Sequence, residues 1–88
     1  MRLDKFLKVS RLIKRRTVAN DVSEQGRVLI NGSPAKPAKQ VKEGDILTLL
    51  FSGGELSVRI LKVPNGSVSV QQSSELYEII KNSQQSLN

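Results

Sequence analysis

The sequence predicts an α+β domain in which two N-terminal helices pack on a small, mostly antiparallel sheet and a short C-terminal helix follows. Three observations carry that prediction. Leu3, Phe6, Leu7 and Ser10 recur at helical spacing, Arg27-Val28-Leu29-Ile30 runs into Asn31-Gly32, and Ile46–Phe51 and Leu56–Ile60 flank Gly53-Gly54. The first is a period of 3.6, and the others are the marks of strands and tight turns. At 88 residues the chain has room for one domain and one thin core. Residues 1–82 are assigned to that domain and 83–88 to a disordered polar tail.

In the first helix Leu3, Phe6 and Leu7, at i, i+3 and i+4, form the packing face, and Ser10 shares it as a small residue. Arg2, Lys5, Lys8 and Arg11 sweep the other side. Leu12 and Ile13 are expected as core residues in a short connection. The second helix is predicted over about 16–25, with Val18, Ala19 and Val22 buried and Asn20, Asp21 and Glu24 in water. Gly26 ends it in the left-handed conformation that closes a helix at lowest cost.

Arg27–Ile30 is then a strand entering a type I′ turn, because Asn-Gly tolerates positive φ at both central positions. Its partner arm, Ser33-Pro34-Ala35, must be short or at an edge, since Pro34 has no amide to donate. Lys36-Pro37-Ala38-Lys39 is expected to be an extended, exposed loop. Glu43-Gly44-Asp45 turns the chain into strand Ile46–Phe51, and a second long strand continues through Leu56, Val58 and Ile60 toward Lys62 and Val63. Pro64-Asn65-Gly66 closes that strand. Val68 and Val70 suggest a last short strand, and Ser73 or Ser74 an N-cap for a helix over 75–82, with Leu76, Ile79 and Ile80 on its apolar side.

Charge is distributed unevenly along this framework. The first sixteen residues hold seven Lys/Arg and one acid, Asp4. Residues 1–42 hold eleven Lys/Arg against three Asp/Glu, a net +8, whereas residues 43–88 hold three against five, a net −2. A charge concentrated in one half makes a directional field suited to a polyanion. A merely solvated basic face is the alternative reading of the same residues.

Other residue types restrict the function. There is no histidine, the commonest general base and metal ligand, and no cysteine for thiolate metal sites or disulfides. The acids of the basic half, Asp4, Asp21 and Glu24, have no paired-carboxylate spacing, and the six glycines form neither a P-loop nor a dinucleotide fingerprint. No catalytic residue, metal ligand or cofactor is therefore expected. The longest apolar run, Ile46–Phe51, is interrupted by Thr48, so nothing is long enough to span a bilayer, and Asp4 and Lys5 interrupt any signal-peptide core. A cytoplasmic location without membrane association is expected. Of the three aromatics Phe6, Phe51 and Tyr77, the first two fall at core positions, which argues against a base-stacking platform. Recognition of a polyanion should be of shape and phosphate.

The segments RLDKFLKVSRLIKRR, QG, RVLING, AKPAK and VKEGDILTL resemble, in order and spacing, the S4 RNA-binding domain, over about residues 1–49. More closely the chain is similar to the single-domain heat-shock-type S4 proteins, and within them to the branch acting in bacterial ribosome-associated quality control. SSELYEII resembles the tyrosine-containing C-terminal helix of that group. The resemblance implies the S4 (alpha-L) fold and a non-enzymatic role. It implies binding to large ribosomal subunits obstructed by peptidyl-tRNA, with contacts to 23S rRNA and to the tRNA, in support of C-terminal tailing of the stalled chain. The implied partners are those two RNAs and a nascent-chain-tailing elongation factor, and the protein is expected to be a monomer off the ribosome. The alternatives are a generic S4 module binding rRNA in ribosome assembly or translation, a targeting module of an RNA-modifying enzyme, or a protein for DNA or anionic membrane.

The resemblance also ranks the cations. Arg16 matches the arginine that opens the second helix of the S4 motif, where a guanidinium and a helix N-terminus can approach one phosphate together. Arg2 matches the family's leading arginine. Lys5, Lys8, Arg11, Lys14 and Arg15 belong to the same patch with less individual weight, and Lys36 and Lys39 reach outward beside Pro37. Asp4, an acid among seven bases, is read as structural support: it caps the helix or orients Arg11 or Arg16. Many S4 domains place Ser or Thr just before the helix-opening arginine. Here Arg15 stands there, which forfeits a cap worth about 1 kcal/mol.

Overall fold

The computed structural model describes residues 1–66 and 68–83. Its elements are helix α1 (Leu3–Val9), helix α2 (Arg16–Glu24), strands β1 (Val28–Ile30), β2 (Ser33–Pro34), β3 (Ile46–Phe51) and β4 (Gly54–Ile60), a short helix α3 (Val70–Ser73) and strand β5 (Tyr77–Asn82). The strands form one antiparallel sheet in the order β2-β1-β3-β4-β5. The predicted α+β architecture is present. Residues 84–88, most of the predicted tail, lie outside the described residues.

Helix α1 buries the predicted face completely: Leu3, Phe6 and Leu7 have no exposed surface, and each such side chain contributes about 1.5–3 kcal/mol. They join Ala19 of α2 and the inward residues Val28, Ile30, Leu47, Leu49, Val58 and Ile60 of the sheet in one cluster. Strand alternation supplies the sheet side of that cluster, since Leu47 and Leu49 stand opposite Val58 and Leu56 in the β3–β4 register.

The two helices stop by the same device. At the end of α2, Gly26 takes φ +77, its amide donates to the Ser23 carbonyl, and the Arg27 amide donates to Val22, closing a Schellman motif. At the end of α1 the equivalent left-handed residue is Arg11, φ +62, whose amide donates to the Lys8 carbonyl. Buried Ser10 supports that turn by donating to the Leu7 carbonyl and accepting from the Leu12 amide. A non-glycine residue in this conformation costs about 1–2 kcal/mol.

Asn31 and Gly32 adopt the positive φ values, +51 and +88, predicted for the first hairpin. Asn31 does more than turn the chain. Its side chain accepts from the Ile46 amide and donates to Asp45, whose other carboxylate oxygen accepts from the Lys42 amide. The hairpin is thereby tied to the start of β3, and β2 is the sheet edge that Pro34 requires.

Several expectations are corrected. The C-terminal helix exists, but at Val70–Ser73, capped by Ser69 through the Gln72 amide rather than by Ser73 or Ser74. Residues 75–82 are not helical: a 3-10 turn spans Ser74–Leu76 and Tyr77–Asn82 is strand. Leu76, Ile79 and Ile80 fit helical spacing, but Tyr-Glu-Ile-Ile also favours extended backbone, and the open edge of β4 offered a ladder of backbone hydrogen bonds. Only Leu76 of the three is buried. Val68 and Val70 form no strand, because Val70 opens α3. Strand β4 stops at Ile60, where Leu61 and Lys62 turn their amides to the Leu76 carbonyl.

Phe51 is not a core residue. It lies opposite Gly54 at the turn end of the β3–β4 hairpin and is 41 % exposed. In α2, Val18 faces solvent, and the buried stripe is instead Ala19 and Ser23, with Val22 partly buried. Ser23 can be buried because its hydroxyl donates to the Ala19 carbonyl at 2.8 Å.

The loop 36–39 is a turn rather than an extended segment, closed by the Lys39 amide on the Lys36 carbonyl. It is also fastened to the start of α1. The Leu3 amide donates to the Lys39 carbonyl at 2.8 Å, the Asp4 amide to the Pro37 carbonyl at 3.1 Å, and the Val41 amide to the Met1 carbonyl at 3.0 Å. These loop carbonyls satisfy helix-start amides that no side chain caps.

Candidate nucleic-acid interface

The fold brings Arg2, Asp4, Arg16 and Asn20 together where the N-termini of the two helices meet. Asp4 is 2 % exposed, a burial that an unpaired carboxylate would not tolerate. Arg2 answers it with two hydrogen bonds, Nε to Oδ1 and Nη2 to Oδ2, both 3.2 Å. Arg16 reaches Oδ1 at 3.3 Å and Asn20 reaches Oδ2 at 3.4 Å. Burial alone pushes the Asp4 carboxyl up. The hydrogen bonds from Asn20 and Arg16, with the charges of Arg16 and Arg2, outweigh it and hold the group below its ordinary value.

Two arginines thus share one carboxylate, and each keeps nearly half of its side chain in water, 47 % for Arg2 and 46 % for Arg16. The trio carries net positive charge. Asp4 fixes one edge of each guanidinium, leaving the remaining N–H groups aimed outward as preformed donors for an oxyanion. Arg16 is the first residue of α2. Arg15 before it is extended, φ −114 and ψ 130, and makes no side-chain cap, so first-turn amides of α2 stay open beside the Arg16 fork. A shallow cleft of about 300 Å³, lined by Asp4, Arg16, Thr17, Asn20 and Asp21, lies at this junction.

Asp4 meets one of its two expected arginine partners and a further arginine that the sequence reading does not name as a partner. It binds Arg16 and Arg2, not Arg11, and its carboxylate does not cap α1. Arg11 lies past the far end of α1, about two helical turns from Asp4. Lys8, Arg11, Lys14 and Arg15 are exposed and Lys5 is half-buried; none forms an ion pair with another described residue. Lys36 and Lys39 fall on the loop fastened to the N-terminal segment, and Lys36 pairs loosely with Glu24 at 3.5 Å.

Asn20 was expected only to be wet, and its bond to Asp4 went unread. The signal was its spacing, four residues after Arg16 on the same helix face. Lys42 and Gln40 line a groove with Lys36 and Lys39, and strand pairing brings Ile30 and Asp45 to its other side.

Arg11 offers a separate test of how strain and charge are divided. Arg11→Gly should leave stability unchanged or raised by up to about 1 kcal/mol, because relief of the left-handed penalty is partly offset by the greater freedom of unfolded glycine. Thermal unfolding reads this directly. A loss of more than about 1 kcal/mol would mean that the arginine side chain holds the turn.

Comparison with known proteins adds a family. The S4 domain family model matches residues 1–47. The RQC P-site tRNA stabilizing factor of Halalkalibacterium halodurans is 53 % identical over 81 residues, covering 92 % of this chain and 91 % of that protein. The protein of the same name from Bacillus subtilis is 47 % identical over 81 residues, covering 92 % and 93 %. Among solved structures, trimeric Heat Shock Protein 15 of Vibrio cholerae superposes with a TM-score of 0.83 at 34 % identity, covering 94 % of this chain and 84 % of that one.

Proposed function

The chain belongs to the S4 domain family, and on that premise we propose that it is a non-enzymatic RNA-binding factor of bacterial ribosome-associated quality control. In this reading it sits in the cytoplasm on large ribosomal subunits that still carry peptidyl-tRNA. It grips 23S rRNA and the tRNA, and so steadies the tRNA while a partner elongation factor extends the stalled chain. The relatives named for stabilizing a P-site tRNA support the reading along nearly the whole chain. The observation that carries it is the pair of half-exposed guanidinium forks, Arg2 and Arg16, oriented by one buried carboxylate.

The chemistry suits positioning rather than reaction. Guanidinium forks and open helix amides recognise phosphate geometry without reading bases, which is what a factor serving many stalled chains requires. Such binding releases counterions, so log affinity should fall linearly with log salt, by roughly 0.7–0.9 for each phosphate neutralised.

Sedimentation tests the assignment. The protein should co-migrate with large subunits carrying peptidyl-tRNA and leave them when that tRNA is released. Equal binding to vacant subunits would instead favour a general rRNA-binding module, and binding indifferent to salt would remove the electrostatic basis of both.

A further inference from the structure

We propose that the cleft between the helices senses the ribose 2′-hydroxyl beside the phosphate it holds, with Asn20 and Asp21 as the residues that set RNA apart from DNA. The proposal rests on the reading of the chain as an RNA-binding factor and deepens that reading at the same site. Helix α2 presents Arg16, Thr17, Asn20 and Asp21 to the cleft of about 300 Å³, two adjacent pairs one helical turn apart on a single face. The space suits one sugar-phosphate unit.

A cleft built for phosphate alone would offer only donors, and this one is polarised. At one end the Arg16 guanidinium supplies N–H groups; at the other stand two acceptors. Asn20 is oriented by Asp4. An ionised carboxylate only accepts, so the atom that meets its Oδ2 at 3.4 Å is Nδ2, and Oδ1 occupies the other arm of the amide. No described residue donates to that Oδ1. Asp21 is exposed, and its carboxylate forms neither an ion pair nor a hydrogen bond with any described residue.

The acid is the informative member of the set. It repels phosphate from its own end, confines the anion to the Arg16 end, and calls for a donor one turn away, where Cβ atoms four residues apart are about 5–6 Å from each other. An RNA nucleotide carries the same polarity on neighbouring groups: a phosphate that only accepts and a 2′-hydroxyl that can donate. In DNA that hydroxyl is absent, and both acceptors would face a methylene. A site that hydrogen-bonds a hydroxyl discriminates against the analogue lacking it, because its own polar groups are left unsatisfied. Such discrimination reads the sugar and no base, which suits a factor that serves many RNA sequences.

The test compares sugars on one sequence. A single hairpin, made as RNA, as 2′-fluoro RNA and as DNA, is titrated against the full chain by anisotropy at one low salt concentration. The 2′-fluoro form separates shape from hydrogen bonding: it keeps the A-form helix and its phosphates but has no 2′ hydrogen to donate. RNA should bind about five- to tenfold tighter than either of the others, the range set by one hydrogen bond whose acceptors are also open to water. In Asp21→Ala the ratio of RNA to 2′-fluoro affinity should fall toward one, whereas loss of a negative charge by itself would strengthen both alike. Asn20→Ala should lower the same ratio, whatever it does to overall affinity through Asp4. Glu24→Ala, an equal change of charge on α2 outside the cleft, should keep the ratio. Thermal unfolding confirms that each variant is folded. Equal binding of RNA and 2′-fluoro RNA by the unaltered chain overturns the hydroxyl contact and leaves RNA binding intact. A ratio that persists in both Asp21→Ala and Asn20→Ala overturns the assignment to these residues. Failure to bind any of the three hairpins overturns the RNA-binding reading itself.

Discussion

Arg16→Ala is expected to lower affinity for structured RNA by about tenfold or more while leaving the protein folded. A hydrogen bond to a charged group contributes about 1.5–3 kcal/mol, and each 1.4 kcal/mol is a factor of ten. Arg16 can offer a phosphate more than one such bond, alongside the open amides of the helix it begins. Its loss leaves little behind in the fold, because the side chain is 46 % exposed and Asp4 retains Arg2 and Asn20. Anisotropy titrations over a range of salt, paired with thermal unfolding, separate the two effects. Arg16→Lys refines the result: it keeps the charge and loses the planar fork, so affinity should recover only in part. Unchanged affinity in Arg16→Ala, or a drop that merely follows lost stability, would remove Arg16 from the interface.

What distinguishes this arginine from the unpaired cations among the first sixteen residues is its fixed orientation. Lys8, Lys14 and Arg15 carry the same unit charge, but nothing in the described structure holds their side chains in one direction. Their expected contribution is to the field that draws RNA in, which salt screens, whereas an oriented fork would also set register. Arg2→Ala should resemble Arg16→Ala. Together the two substitutions should cost less than the sum of their separate effects, since both arginines depend on the same carboxylate.

Most of the helical half was legible in the sequence because local rules govern it. The face made by Leu3, Phe6, Leu7 and Ser10, the Gly26 stop and the Asn31-Gly32 turn each follow from neighbours within a few residues. The largest failure lies at the other end of the chain. Tyr77–Asn82 became a strand because the edge of β4 was open to it, and that edge is some twenty residues away in sequence. Phe51 alternates correctly onto the inner face, yet it sits where the hairpin outruns the core. At the site, the residue type of Asp4 pointed to an arginine partner and to Arg16, but not to Arg2. Arg16 meets it across twelve residues of sequence, through packing of α1 against α2 that no local pattern shows. The basic groove was less visible still, since no periodicity links Gln40 and Lys42 to the wall formed by Ile30 and Ala35.

Asp4→Asn carries the second large effect, and pH shows its origin. The amide is nearly isosteric, but it replaces an acceptor-only carboxylate with a group that must also present two donors. The position that now accepts from Arg2, Arg16 and Asn20 would then set donor against donor. Loss of about 1–2 kcal/mol is expected, the partial exposure of both arginines having been allowed for, or a fall in Tm of several degrees in a chain of this size. Because the folded-state carboxyl lies below its ordinary value, its stabilisation is present in full above about pH 4 and disappears as pH falls through the folded-state value. Native and variant proteins should therefore differ most near neutrality and converge in acid. RNA binding supplies the complementary readout: removing a negative charge from a basic surface would strengthen binding if charge alone mattered. Weaker binding in Asp4→Asn, despite its more positive net charge, would show that the carboxylate acts by holding two guanidinium groups in place. Tighter binding at unchanged stability would show that the orientation of Arg2 and Arg16 needs no acid at all.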